Sequence, residues 1–185
     1  GLSLAVGLLA AGPVAADGPP RPQPQPPTVV TDGDGRTRWV AAPAGRRLSS
    51  APRHARTPVA AARAQLRGRV DVFGAADGAS LRALRVTRPV AGHLVVRFQQ
   101  TVGGVPVVGA QLVAVLDAEL GLVSVGGELS RSAVHPTYDL PASTAERLAR
   151  RVVARAYDLR PRALVATRPT RAVLDPSLLT PGAPA

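Results

Sequence analysis

Two adjacent glycines set between alternating apolar runs constrain this chain more than any other feature. From His93 to Val102 the side chains alternate, with Leu94, Val96 and Phe98 on one face and Val95, Arg97 and Gln99 on the other. That period of two is the mark of a strand with one buried face. Gly103-Gly104 follows, and glycine is the residue that accepts the positive φ of a tight hairpin turn. Residues 105–116 read as the return strand, with Pro106 near its start, where a missing backbone donor is tolerated. Asp117–Gly121 reads as a turn, residues 122–129 as a further strand and residues 81–87 as a short strand before the hairpin.

A helix is predicted ahead of these strands. Thr57 can cap it, and Pro58 suits the first helical position because its missing N–H costs nothing there. Val59, Ala62, Leu66, Val70 and Phe73 recur at helical spacing, giving one apolar stripe. Gly68 weakens the middle by about 1 kcal/mol relative to Ala, and Gly74 is placed as the C-terminal cap. The expected architecture is α+β: a helix packed on an antiparallel β meander, followed by an incomplete second α+β unit.

The flanking segments carry different signals. Residues 1–16 read as the remnant of a secretory signal: the apolar stretch from Leu2 to Ala11 is shorter than the roughly 20 residues of a membrane span. Val14 and Ala16 occupy the −3 and −1 positions, placing cleavage after Ala16. A buried core element is the plainer alternative. Residues 17–56 are expected to be a disordered Pro/Gly/Arg-rich linker, because PPRPQPQPP favours polyproline II over any ladder. Asp32 and Asp34 imitate a calcium loop, but Arg36 stands at the next ligand position and Pro43 where the bidentate Glu belongs, so a glycine-rich turn is expected. Trp39, the single tryptophan, either packs on a partner or stands as a lone anchor.

Residues 131–142, around His135-Pro136, read as a linker, and residues 143–185 as the second unit. Ser143-Thr144-Ala145-Glu146 has the form of a capping box. Ala145, Leu148, Ala149, Val152, Val153 and Ala156 line one face of the helix it would open, with Arg147, Arg150, Arg151 and Arg155 over the rest. Pro161 bounds that helix, and residues 163–167 read as a strand. One helix and a strand or two bury little core by themselves.

Composition excludes several function classes. The chain has 185 residues and no Cys, which removes disulfides, thiolate metal sites and a cysteine nucleophile. Its net charge of +11 comes from arginine alone. The arginines are scattered and aromatics are only 3%, so no nucleic-acid partner is expected. His54, His93 and His135 sit in HARTP, HLVVR and HPTYD, and none opens a His-Glu-x-x-His zinc helix. Ser124 lacks the first glycine of a nucleophile elbow. GDGRTR breaks the dinucleotide fingerprint at its third glycine. Asp32, Asp34, Asp77 and Asp117 look like turn formers. No catalytic, cofactor or metal residue is assigned, and no stable membrane span.

The stretch VRFQQTVGGVPVVGAQLVAVLDAELGLVSVGGELS resembles the central hairpin of the fungalysin/thermolysin propeptide domain. The family pattern is Arg-x-x-Gln, a spacer, Gly-x-Pro-Val-x-Gly, a strand, a turn and a strand ending at a glycine. It falls on Arg97, Gln100, Gly104, Pro106, Val107, Gly109 and Gly127, and the resemblance covers residues 57–130. Val102 and Val108 replace residues often aromatic in the family, and the turn at Asp117–Gly121 is long by one residue relative to the family pattern. The motif positions are expected to be structural, the glycines and proline shaping a hairpin and Arg97 and Gln100 bonding within the sheet. Residues 143–185 resemble the first part of a PepSY domain, which commonly follows in thermolysin-like precursors.

The resemblance implies a non-catalytic pro-region that helps a protease fold and holds it inactive. Its partner would be the cognate catalytic domain in cis, which would hold the zinc, with calcium as a second candidate ion, and the protein would be secreted from a bacterium. Two alternatives stay open: a free-standing secreted protease inhibitor or binding module, and a basic surface protein that binds anionic polymers.

Overall fold

The structure is a computed structural model that describes residues 25–75, 78–89, 92–132 and 137–179. The signal stretch with its cleavage position, most of the proline run, Asp77 and His135-Pro136 lie outside the described residues. Six strands form one antiparallel sheet: β1 (Thr28–Thr31), β2 (Thr37–Ala41), β3 (Ala79–Thr87), β4 (Leu94–Val102), β5 (Val105–Leu116) and β6 (Leu122–Glu128). Their order across the sheet is β1-β2-β6-β5-β4-β3. Two α-helices, α1 (Pro58–Leu66) and α2 (Ala142–Ala156), complete an α+β fold.

The expected hairpin is present with its turn at Gly103 and Gly104, at φ 55° and 79°. Two successive left-handed residues make the turn that follows the natural twist of the strands. The alternation of β4 puts Val96 and Phe98 fully out of solvent, opposite Leu112 and Ala114 of β5. Ala61, Ala62 and Leu66 of α1 close over this face with Phe73 and Leu129. Burying a side chain such as Phe98 contributes about 1.5–3 kcal/mol, so this layer holds the sheet flat against its helix.

The Thr57 hydroxyl accepts the Ala60 N–H at 3.2 Å, with Pro58 at the start of α1. The helix ends at Leu66 rather than running on to Phe73. Gly68 takes φ +71° and breaks it; a 3-10 turn over Val70–Phe73 then keeps Phe73 in the core, and Gly74 caps that turn at φ +81°. The apolar stripe therefore outlasts the helix that was predicted to carry it.

The segment expected to be a disordered linker departs most from expectation. β1 and β2 form a hairpin, and β2 pairs with β6. Asp32 closes the connecting loop by accepting the N–H groups of Asp34 at 3.0 Å and Arg36 at 2.8 Å. Its other oxygen takes Arg38 at 2.7 Å, so this loop spends its carboxylate on its own backbone and an arginine. Arg38 also pairs with Glu128 on β6. Trp39 lies beside Gly126, where a Cβ would come within 2.7 Å of the indole. These long-range contacts order a sequence whose local composition favours disorder. Arg47 pairs with Asp117 and Glu119, and the Leu48 N–H donates to the Leu122 carbonyl at 2.7 Å, tying the rest of this segment to the start of β6.

The second unit differs in three ways. The helix α2 starts at Ala142 without a side-chain cap: the Pro141 carbonyl receives the Thr144 and Ala145 N–H groups, both at 3.0 Å. Ser143 is thus inside the first turn, and Glu146 bonds Arg150 at 2.9 Å instead of reaching back. The expected strand at 163–167 is absent; Pro161–Ala163 forms a 3-10 turn and Val165 is 98% exposed. Leu148, Val152 and Val153 are exposed, while Ala154 is buried. Asp158, at φ 50°, turns the chain back so that the Leu159 N–H bonds the Ala154 carbonyl at 2.8 Å. Among the described residues no helix is long and apolar enough to cross a membrane.

Gly127 has φ +137°, and a Cβ there would lie 2.0 Å from the Gln111 carbonyl oxygen. Gly127→Ala is expected to destabilise the fold by about 2–4 kcal/mol, from backbone strain plus a clash with main chain. Gly33→Ala, at a position open to space, should stay within about 0.5 kcal/mol. Urea unfolding of the two variants checks the contrast.

Candidate functional site

The family-pattern residues gather where β5 leaves its regular register with β4. Gln99 pairs with Gln111 and Thr101 with Pro106, so β5 carries a surplus of residues opposite Gln100. Gly109, at φ +82°, allows the strand to bend out there. The Gln99 amide fills the gap: its nitrogen donates to the Val107 carbonyl at 2.5 Å and the Ala110 carbonyl at 2.8 Å. Arg97 donates to the Gln111 amide oxygen at 2.9 Å, and Gln111 in turn donates to Gln99 at 3.3 Å. Burying these amides is tolerable only because they are bonded.

Gln100 points the other way and is fully buried. Its oxygen accepts the Ser130 N–H at 2.7 Å, and its nitrogen donates to the Ser130 carbonyl at 2.9 Å. One side chain therefore satisfies both backbone groups of a residue just beyond β6. The Ser130 hydroxyl donates to Asp175, with the Ser132 hydroxyl at 3.2 Å on the same oxygen. The other oxygen accepts the Ser177 N–H at 3.0 Å and hydroxyl at 2.7 Å.

The bend in β5 also frees its backbone for a new partner. Val173 forms a parallel bridge with Val107: the Val108 N–H donates to the Val173 carbonyl, and the Val173 N–H to the Pro106 carbonyl, both at 2.8 Å. Val102, Val107, Ala110 and Val173 bury a small second core. Arg97, Gln100, Pro106, Val107 and Gly109 thus lie in one assembly that clasps residues 173–177 to the sheet. Gly104 sits at the hairpin tip and Gly127 at the β5–β6 close approach, outside the clasp.

The chemistry of this assembly is that of a lock. Asp175 is 2% exposed and accepts from the Ser130, Ser132 and Ser177 hydroxyls and the Ser177 N–H. Burial, the largest single effect, pushes its pKa up; hydrogen bonds from the Ser130 hydroxyl, then the Ser177 hydroxyl and N–H, then Ser132 outweigh it, so the carboxyl is held below its ordinary value. A depressed, enclosed carboxylate is a poor general base, and a serine that donates to it is held rather than activated. Gln65 works similarly elsewhere: it accepts from Ser49 at 2.8 Å and the Leu122 N–H at 3.0 Å, and donates to the Leu120 carbonyl at 2.9 Å.

Sequence reasoning missed Gln65, Gln99, Ser130 and Asp175. Two adjacent glutamines in a strand do carry a signal, since one of them must face inward. Asp175-Pro176-Ser177 likewise has the form of a capped turn. What the sequence could not supply was the pairing of Asp175 with Ser130, which are 45 positions apart.

With this geometry in place, residues 79–129 match the family described as the Fungalysin/Thermolysin Propeptide Motif. The matched span runs from the start of β3 to Leu129, one residue short of the Ser130 backbone that Gln100 holds. No curated protein matches the chain.

Two outcomes are expected here. Gln100→Ala strands the Ser130 N–H and carbonyl in the interior and should cost about 1–3 kcal/mol in chemical denaturation. Because the folded-state pKa of Asp175 is depressed, its stabilisation is present above the ordinary aspartate value of about 3.9 and is lost as pH falls below it. Protection factors at the Val108 and Val173 amides, corrected for the intrinsic pH dependence of exchange, should therefore fall in acid, and Asp175→Asn should flatten that dependence. Asp32, also held low, first by the Arg36 N–H, acts on a different loop and should leave those two amides alone.

Proposed function

We propose that this chain is the non-catalytic pro-region of a secreted thermolysin-like zinc metalloprotease precursor, acting as intramolecular chaperone and inhibitor of a catalytic domain joined to it in cis. The observation that carries the reading is the match of residues 79–129 to the propeptide motif, with the motif's polar residues spent on bonds inside the fold. Gln100 spends both ends of its amide on Ser130 and Arg97 bonds Gln111, which suits a part that shapes and binds. The zinc, and any calcium, belongs to the catalytic domain in this reading. Residues 1–16 act as an export signal cleaved after Ala16, and residues 143–185 as part of a PepSY-like unit.

Physically, a segment that binds only the folded protease stabilises it by mass action, and tethering raises its effective concentration. The same contacts, if they cover the active-site cleft, delay activity until the segment is cut away.

The coding sequence downstream of Ala185 is expected to continue into His-Glu-x-x-His and a later Glu. Deleting residues 79–129 from the whole precursor should then abolish recovery of active protease after refolding, and supplying the 185-residue chain in trans should restore it. A stop codon at Ala185, or undiminished recovery after the deletion, contradicts the proposal.

A further inference from the structure

β3 is one of the two outer strands of the sheet and, among the described residues, pairs only with β4. Alternate backbone N–H and carbonyl groups along its other side are therefore open to an added strand. A cavity of about 390 Å³ opens against this strand. Leu66 and Val70 line it from the helix side, Ala79 and Leu81 from β3, and Ala75 and Leu129 complete an apolar wall. Arg63 and Arg67 stand on its rim, both exposed, and Arg63 already leans over β3, 3.4 Å from the Leu81 carbonyl.

Charge distinguishes this edge. Arg82 and Arg85 project from β3 and are exposed. Among the described residues, neither they nor Arg63 and Arg67 have a carboxylate within ion-pair distance; the recorded pairs use Arg36, Arg38, Arg47 and Arg150. Arg69 donates to the Gln65 carbonyl at the end of α1, at 2.6 Å, a shorter bond than the one from Arg63 to Leu81. Unpaired arginines along an open edge repel a second copy of this basic chain and favour an acidic one.

We propose that β3 and the adjoining cavity form a docking site for an extended acidic peptide segment, which adds to the sheet as a seventh strand. Its backbone pairs with β3, one apolar side chain fills the cavity on the helix face, and carboxylates on the opposite face of the added strand meet Arg82 and Arg85, which pair with Gln99 and Arg97 on that face. The cavity volume falls in the range of small-ligand pockets, so a single large aliphatic or aromatic side chain fits. The proposal stands on the edge, the cavity and their charge; it goes beyond the pro-region reading and does not depend on it.

The test uses the full chain and a capped peptide of alternating Leu and Glu, followed by amide NMR and hydrogen exchange. Binding is expected with slowed exchange along β3, and a Leu-Lys peptide of equal length should not bind. Arg82→Glu combined with Arg85→Glu, a change of two exposed side chains on the face that the peptide's carboxylates share, should weaken binding at least about tenfold. Ala79→Phe, which fills the cavity, should do the same while β3 still pairs with β4. Absence of binding, equal binding of the Leu-Lys peptide, indifference to either variant, or protection mapping to β1 would each overturn the proposal. None of these outcomes bears on whether a protease domain follows this chain.

Discussion

The structure depends on the bonding of two adjacent buried amides. Gln99 and Gln100 occupy neighbouring positions on β4 and so face opposite sides of the sheet. Gln99 holds the bend of β5 through the Val107 and Ala110 carbonyls, and Gln100 holds the backbone of Ser130. Without the first, β5 would have no reason to leave its register; without the second, the chain leaving β6 would not be set to meet Asp175. In a low-dielectric interior such bonds are strong when complete and costly when broken. They therefore select one arrangement among those that hydrophobic alternation alone would permit.

Much of this was legible in local sequence. The Gly103-Gly104 turn, the alternation of Leu94, Val96 and Phe98, the return strand with Pro106 near its start and the Thr57 cap all follow from short-range rules, and all are present. The helix α1 was legible at its start but not its end, because the stripe of Val70 and Phe73 continues in a 3-10 turn after Gly68. Periodicity fixes which residues face the core more securely than it fixes the backbone that presents them.

The unread parts share one physical cause: their order comes from distant partners. β1 and β2 lie in a stretch whose glycines and prolines argue for disorder, yet Trp39 finds the bare backbone of Gly126 and Arg38 finds Glu128. Asp175 meets Ser130 across the whole second unit. In that unit, local signals misled in the opposite direction. Ser143-Thr144-Ala145-Glu146 reads as a capping box, but Pro141 already supplies the carbonyl that starts α2, and the residues read as a strand near Val165 pair with no strand among the described residues. Of the candidate site, the hairpin residues could be named in advance, whereas the clasp they build could not.

Because Gln100 positions Ser130 and Ser130 donates to Asp175, these groups should act as one unit. A double-mutant cycle of Gln100→Ala with Asp175→Ala, read by chemical denaturation, measures this directly. A coupling energy of about 0.5 kcal/mol or more is the result the clasp requires. Additive losses, within about 0.3 kcal/mol, would mean that the segment around Asp175 is held independently and that the motif residues do not organise it.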